Sequence, residues 1–220
     1  MTRVVSVVVL LVAALAAPLA AEAQSGPKVA RIGVLALSTA PSTPNAEAFR
    51  QGLREVGYVE GRNIVIEYRY AGEQYERLEA LARELVQLRV DVIVSHGIPG
   101  PLAARKATAT IPIVMTSAGD PMAAGLVSSL AQPGGNVTGL SLMSPELGGK
   151  RLQLLKEIVP GLSRVAMLWN GTNPFSLRVV REIEAAATTL DVQLQSLVVR
   201  GPDDFDGTLA AAAGGRANAM

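Results

Sequence analysis

The chain has 220 residues, no cysteine, one histidine, and 20 basic against 19 acidic side chains, for a formal charge of +1. Those counts exclude a disulfide scaffold, a thiolate metal site, a cysteine nucleophile and a multi-histidine metal centre within one chain. The even charge leaves no electrostatic footprint for nucleic acid, and aromatic residues at 4% argue against a function built on stacked rings.

Residues 1–23 read as an address. Arg3 precedes an apolar run over 4–17, followed by Pro18 and a small-residue stretch closing on Ala21-Glu22-Ala23. A short positive region, an apolar core and an A-x-A site describe a secretory signal peptide. The run is shorter than the about 20 apolar residues that span a bilayer. Cleavage after Ala23 leaves an exported chain beginning at Gln24, and without cysteine it cannot be a lipoprotein. The expected location is the periplasm, with no membrane span after cleavage.

From Val29 onward, strands and helices alternate. The continuous apolar run over 29–37 predicts a strand covered on both faces. A helix follows over 45–56 with Phe49, Leu53 and Val56 on one face, and Gly57 is placed to stop it. The alternating segment 63–70 predicts a second strand. Residues 73–88 predict an amphipathic helix carrying Leu78, Leu81, Leu85 and Leu88 on one stripe, with Glu79 and Arg83 as an i,i+4 pair on its solvated side. Strands are predicted at 90–95, 111–116 and 137–142, and a short helix at 101–107. Asp120-Pro121 predicts a helix start, since Asp suits the N-cap and Pro needs no N–H at the first helical position. Alternating strands and helices imply a doubly wound α/β lobe with a parallel sheet.

A partial repeat organises the rest. RIGVL at 31–35 returns as RVAML at 164–168, and each is followed by a polar loop and a helix, the second over about 175–190. The strand at 63–70 is mirrored at 191–199, the turn and helix at 71–82 by 201–212, and LRVDVIV at 88–94 by GRANAM at 215–220. The plainer account is that any two βα units look alike. The repeat instead predicts three parts: a signal peptide at 1–23, an N-terminal α/β lobe at 24–144, and a partial C-terminal α/β lobe at 145–220 whose third strand is cut short.

The stretches FRQGLREVGYVEGRNIVIEYRYA (49–71), VDVIVSHG (90–97), IPIVMTSAGDP (111–121), LAQPGGNVTGLSLMSPELGGKRLQLLKEIVP (130–160) and RVAMLWN (164–170) with Asn173-Pro174 carry a resemblance. The chain resembles the ABC transporter substrate-binding protein family that includes tryptophan- and tyrosine-type importer components. That resemblance implies a type I periplasmic-binding-protein-like fold with a Rossmann-like parallel sheet in each of two lobes. It also implies a hinge that closes the lobes on a ligand. The partners it implies are a small-molecule solute, amino-acid-like and possibly an aromatic amino acid, and an ABC permease with its ATPase.

An enzyme is disfavoured by what the sequence lacks. His96 is the single imidazole, and there is no G-x-S-x-G elbow, no G-x-x-x-x-G-K-[ST] phosphate loop and no G-x-G-x-x-G after the first strand. No cofactor and no metal is expected. The glycines of PGGNVTG read as turn residues, and the two N-x-T patterns at Asn136 and Asn170 as chance.

In open α/β sheets, ligands sit beyond the carboxyl ends of the strands. The candidate ligand-binding residues are therefore Ser38, Thr39, Ser95, Gly97, Thr116, Gly119, Asp120, Asn170 and Asn173. These small hydroxyl, amide and glycine positions suit a small polar solute. Each has a plainer role. Ser38 and Thr39 could serve only to cap the first helix, Asp120 to cap its own, and Trp169 to fill the core at the end of a buried strand. Two rival functions remain: an exported ligand-sensing domain of the same fold that signals to a membrane kinase, and a periplasmic α/β hydrolase. The hinge is expected at 142–146.

Overall fold

The computed structural model describes residues 29–39, 44–142, 144–173 and 175–220. The expected signal peptide at 1–23 and Met143 of the expected hinge lie outside the described residues. Among those described, no helix is long and apolar enough to cross a membrane.

The first lobe runs β1 (Ala30–Ala36), α1 (Pro44–Glu55), β2 (Ile64–Tyr70), α2 (Leu78–Gln87), β3 (Val92–Ser95), α3 (Pro99–Ala107), β4 (Ile113–Ala118) and β5 (Val137–Ser141). Its five strands pair in parallel in the order β2-β1-β3-β4-β5. Leu78, Leu81 and Leu85 are spaced by three and four residues, so they share one helix face and are buried against Leu35, Ile93, Ala104 and Ile113. On the opposite face of the sheet, Phe49 and Leu53 of α1 pack against Ile32, Ile64 and Ile66.

Four expectations need correction here. Val56 does not join Phe49 and Leu53, being 70% exposed beyond the end of α1. The helix predicted from 73 begins at Leu78, because Glu73 takes a left-handed φ of 63° and residues Tyr75–Arg77 form a separate 3-10 turn. No helix follows Asp120. Its Oδ1 accepts from Ala123 N at 3.0 Å, but the chain turns at Gly125 (φ 68°) and Pro121 O takes both Leu126 N and Val127 N. That closure sends Leu126 and Val127 into the core instead of along a helix axis. Glu79 pairs with Lys106 on α3, not chiefly with Arg83.

The second lobe comprises α4 (Ser144–Ile158), β6 (Arg164–Asn170), α5 (Ser176–Thr189), β7 (Gln193–Val199) and α6 (Phe205–Gly214). The helices α4 and α5 approach closely because α4 carries two glycines. A Cβ on Gly148 would stand 2.8 Å from Ile183 Cγ1, and one on Gly149 would stand 3.1 Å from the Ala186 Cβ.

The repeat extends to individual hydrogen bonds. β6 pairs in parallel with β7 on one edge and bridges Ala219 on the other, which reproduces the order β2-β1-β3. Arg31 N donates to Asp91 Oδ2 at 2.8 Å and Asp91 N donates back to Arg31 O at 2.8 Å. In the second lobe Arg164 N donates to Asn218 Oδ1 at 3.1 Å and Asn218 N returns to Arg164 O at 2.8 Å. The preceding arginines, Arg89 and Arg216, share a left-handed φ of 53° and 57°. Both N-x-T asparagines hold turns. Asn136 Nδ2 donates to Thr108 O and Ile111 O, and Asn170 Oδ1 accepts from Thr172 N.

Candidate functional site

Both lobes present the carboxyl ends of their strands to a shared cavity of about 1050 Å³. Ser38, Gly97, Thr116, Gly119 and Asp120 line it from the first lobe, and Asn170 and Asn173 from the second. Thr39 lies outside the lining. Ser95 borders the cavity, yet it is 2% exposed and its Oγ donates to Leu35 O at 2.7 Å, back into the sheet. A Cβ on the neighbouring Gly100 would stand 2.0 Å from that oxygen, so a glycine is what lets α3 start directly above β3. His96 Nδ1 lies 3.4 Å from Thr116 Oγ1 at the first-lobe rim.

Two of the second-lobe candidates are partly committed to their own loop. Asn170 Oδ1 accepts from the Thr172 N–H and hydroxyl, and Asn173 Oδ1 accepts from Phe175 N at 3.0 Å. The left-handed φ of 74° at Gly97 turns the chain between β3 and α3, a conformation that suits a glycine.

What sequence reasoning missed is the aromatic content. Six of the chain's eight aromatic side chains line the cavity: Phe49, Tyr68, Tyr70, Tyr75, Trp169 and Phe175. Low overall aromatic content therefore conceals a local concentration. Trp169, expected as core, sits half-buried on the cleft side with its Nε1 donating to Ser196 Oγ at 2.9 Å. Trp169 shares the strand face of Val165 and Met167, but it stands at the carboxyl end of β6, where the strand borders the cavity. Tyr68 and Tyr70 stack with centroids 5.9 Å apart, and Arg50 sits 5.2 Å over the Tyr68 ring while its Nε donates to the Tyr68 hydroxyl. The Tyr70 hydroxyl is buried and has no hydrogen-bond partner among the described residues. Burial pushes Tyr68, Tyr70 and Tyr75 above the ordinary phenol range. The Arg50 bond opposes this at Tyr68, and a bond to Thr172 of the second lobe opposes it at Tyr75.

Two lining residues among those described are charged, and they come from opposite lobes. Asp120 follows β4, Arg178 stands on α5, and Arg178 Nε lies 3.1 Å from Asp120 Oδ2. Among the described residues no His, Asp and Glu side chains gather to hold a metal. The arrangement can bury a small molecule against rings and offer it hydroxyls, backbone amides and one ion pair.

The comparisons with known proteins agree with this geometry. A tyrosine-binding protein of Clostridioides difficile (strain R20291) is 36% identical over 145 residues, which cover 65% of this chain and 41% of that protein. A conserved domain protein of Vibrio cholerae superposes with a TM-score of 0.73 at 32% identity, covering 84% of this chain and 62% of that one. A Streptococcus pneumoniae ABC domain solved in complex with L-Trp superposes at 0.70 with 25% identity and the same coverage. The fold is that of type I periplasmic binding proteins, and this chain spans less than two thirds of each relative. The family model for ABC transporter substrate binding protein matches residues 31–217, and the chain belongs to that family.

Proposed function

We propose that the protein is the extracytoplasmic solute receptor of an ABC importer and delivers an aromatic amino acid to a permease and its ATPase. The observation that carries this reading is the cleft between two α/β lobes, in which a chain poor in aromatic residues gathers six of its eight. Apolar and aromatic walls with a few placed polar groups suit a ligand with a flat ring and a polar head. The relatives named as tyrosine-binding and as an L-Trp complex support the same class of solute. Its work is a population shift between open and closed lobes, with no chemical step. Ser38, Gly97, Thr116, Gly119, Asp120, Asn170 and Asn173 supply polar contacts, with chain near 142–146 as the hinge between lobes at 24–144 and 145–220. The reading takes residues 1–23 as an export signal and the periplasm as the location, which the positive start, apolar run and A-x-A end of that segment support.

A thermal-shift screen of the twenty amino acids tests this. Tyrosine or tryptophan should raise the melting temperature, since a ligand that binds only the folded state stabilises it. A screen in which only non-aromatic solutes, or none, give a shift would refute the reading.

A further inference from the structure

The geometry points to Asp120 and Arg178 as a head-group site that selects a zwitterion over either single ion, and this inference rests on the amino-acid reading above. The two are the charged groups lining the cavity among the described residues, and they stand 3.1 Å apart across the cleft. Asp120 is 11% exposed and is fixed from behind by Ala123 N on Oδ1. Arg178 is 54% exposed and engages Asp120 through Nε. Its two terminal nitrogens have no protein partner among the described residues. Those nitrogens form the planar edge that takes a carboxylate through two parallel hydrogen bonds.

A ligand carboxylate on that edge lies beside the Asp120 carboxylate. That proximity of like charges is costly unless a positive charge stands between them. The ammonium of an α-amino acid is attached one carbon from its carboxylate and supplies that charge. The four groups then alternate in sign around a ring. A deaminated acid meets Arg178 but also faces unrelieved repulsion from Asp120, and a decarboxylated amine faces the converse. Since the two side chains come from opposite lobes, the head group is fully held only when the lobes approach.

Calorimetry with L-tryptophan, indole-3-propionate and tryptamine tests the inference on the wild-type chain and on Asp120→Asn and Arg178→Gln. Loss of one charge-assisted contact predicts that each analogue binds about 10- to 100-fold more weakly than tryptophan. Asp120→Asn should selectively rescue indole-3-propionate relative to tryptophan, while Arg178→Gln should selectively rescue tryptamine. If either variant does not fold, Asp120→Glu and Arg178→Lys keep the test: each retains its charge and should keep the wild-type order of the three ligands. Folded charge-neutral variants with unchanged ratios, or conservative variants with a changed order, would overturn the head-group assignment and leave the aromatic-solute reading standing. Failure of wild-type protein to bind tryptophan and tyrosine would overturn that reading and this inference together.

Discussion

Ser95 and Gly100 meet where β3 gives way to α3, and replacing them singly and together should be strongly non-additive. The Ser95 hydroxyl donates to Leu35 O at 2.7 Å, and a Cβ on Gly100 would stand 2.0 Å from it. Ser95→Ala removes one buried neutral hydrogen bond, worth about 1 kcal/mol. Gly100→Ala forces the hydroxyl away and loses that same bond. It adds overpacking of about 1–3 kcal/mol and returns at most about 1 kcal/mol of helix propensity. Its net cost is about 2–3 kcal/mol.

In the Ser95→Ala background the nearest atom to the new methyl is the residue-95 Cβ at 3.3 Å, a contact relieved by a shift of a few tenths of an ångström. The double variant should therefore cost about 1 kcal/mol, which leaves a coupling of about 2 kcal/mol. Urea unfolding of the four proteins measures it. Additivity to within about 0.5 kcal/mol would refute the packing argument. The same Ser95→Ala protein should bind solute as the wild type does, because the hydroxyl points into the sheet. A tenfold loss of affinity, about 1.4 kcal/mol, with stability intact would mean that Ser95 touches the solute after all.

Further outcomes follow from the cleft and the chain ends. Tyr70→Phe deletes a buried hydroxyl that has no partner among the described residues, so it should be neutral or stabilising by up to about 1 kcal/mol in the same unfolding assay; a clear loss would reveal a missed bond. Tyr68, Tyr70 and Tyr75 favour their neutral forms when folded. Their contribution to stability is present below the ordinary tyrosine range near pH 10 and is lost as pH rises through their raised folded values. Phenolate absorbance in the native protein should lag behind that of the unfolded chain, and coincident titrations would contradict the burial argument. N-terminal sequencing of exported protein should begin at Gln24; retention of 1–23 would remove the signal. Solution structures with and without solute should bend at 142–146, and bending elsewhere would relocate the hinge.

The order of strands and helices was legible in the sequence because a buried parallel strand needs an unbroken apolar run and a covering helix needs apolar positions three and four apart. The repeat was legible for a related reason. The arginine–aspartate and arginine–asparagine ladders at Arg31 and Arg164 join matching strands of the two series, 60 residues apart in one lobe and 54 in the other, so one lobe predicts the other. The helix at Asp120 was misread because its capping chemistry is real but local. Whether a capped turn continues depends on where Leu126 and Val127 find a core, and that is a tertiary fact.

The site shows the same division. Strand ends located the cleft, since the carboxyl edge of a parallel sheet is fixed by chain direction alone. Which side chains fill it was not fixed in that way. Ser95 turns inward because Leu35 O lies across the β1–β3 pairing, and Trp169 reaches the cleft because it stands at the carboxyl end of β6. Phe49, Tyr70 and Trp169 lie far apart along the chain, and Asp120 and Arg178 are separated by the crossing between lobes. The sequence thus determined the alternating α/β order of both lobes and the strand edge that borders the cavity. Only the packing of one lobe against the other brought rings and opposite charges from distant segments into a single cavity.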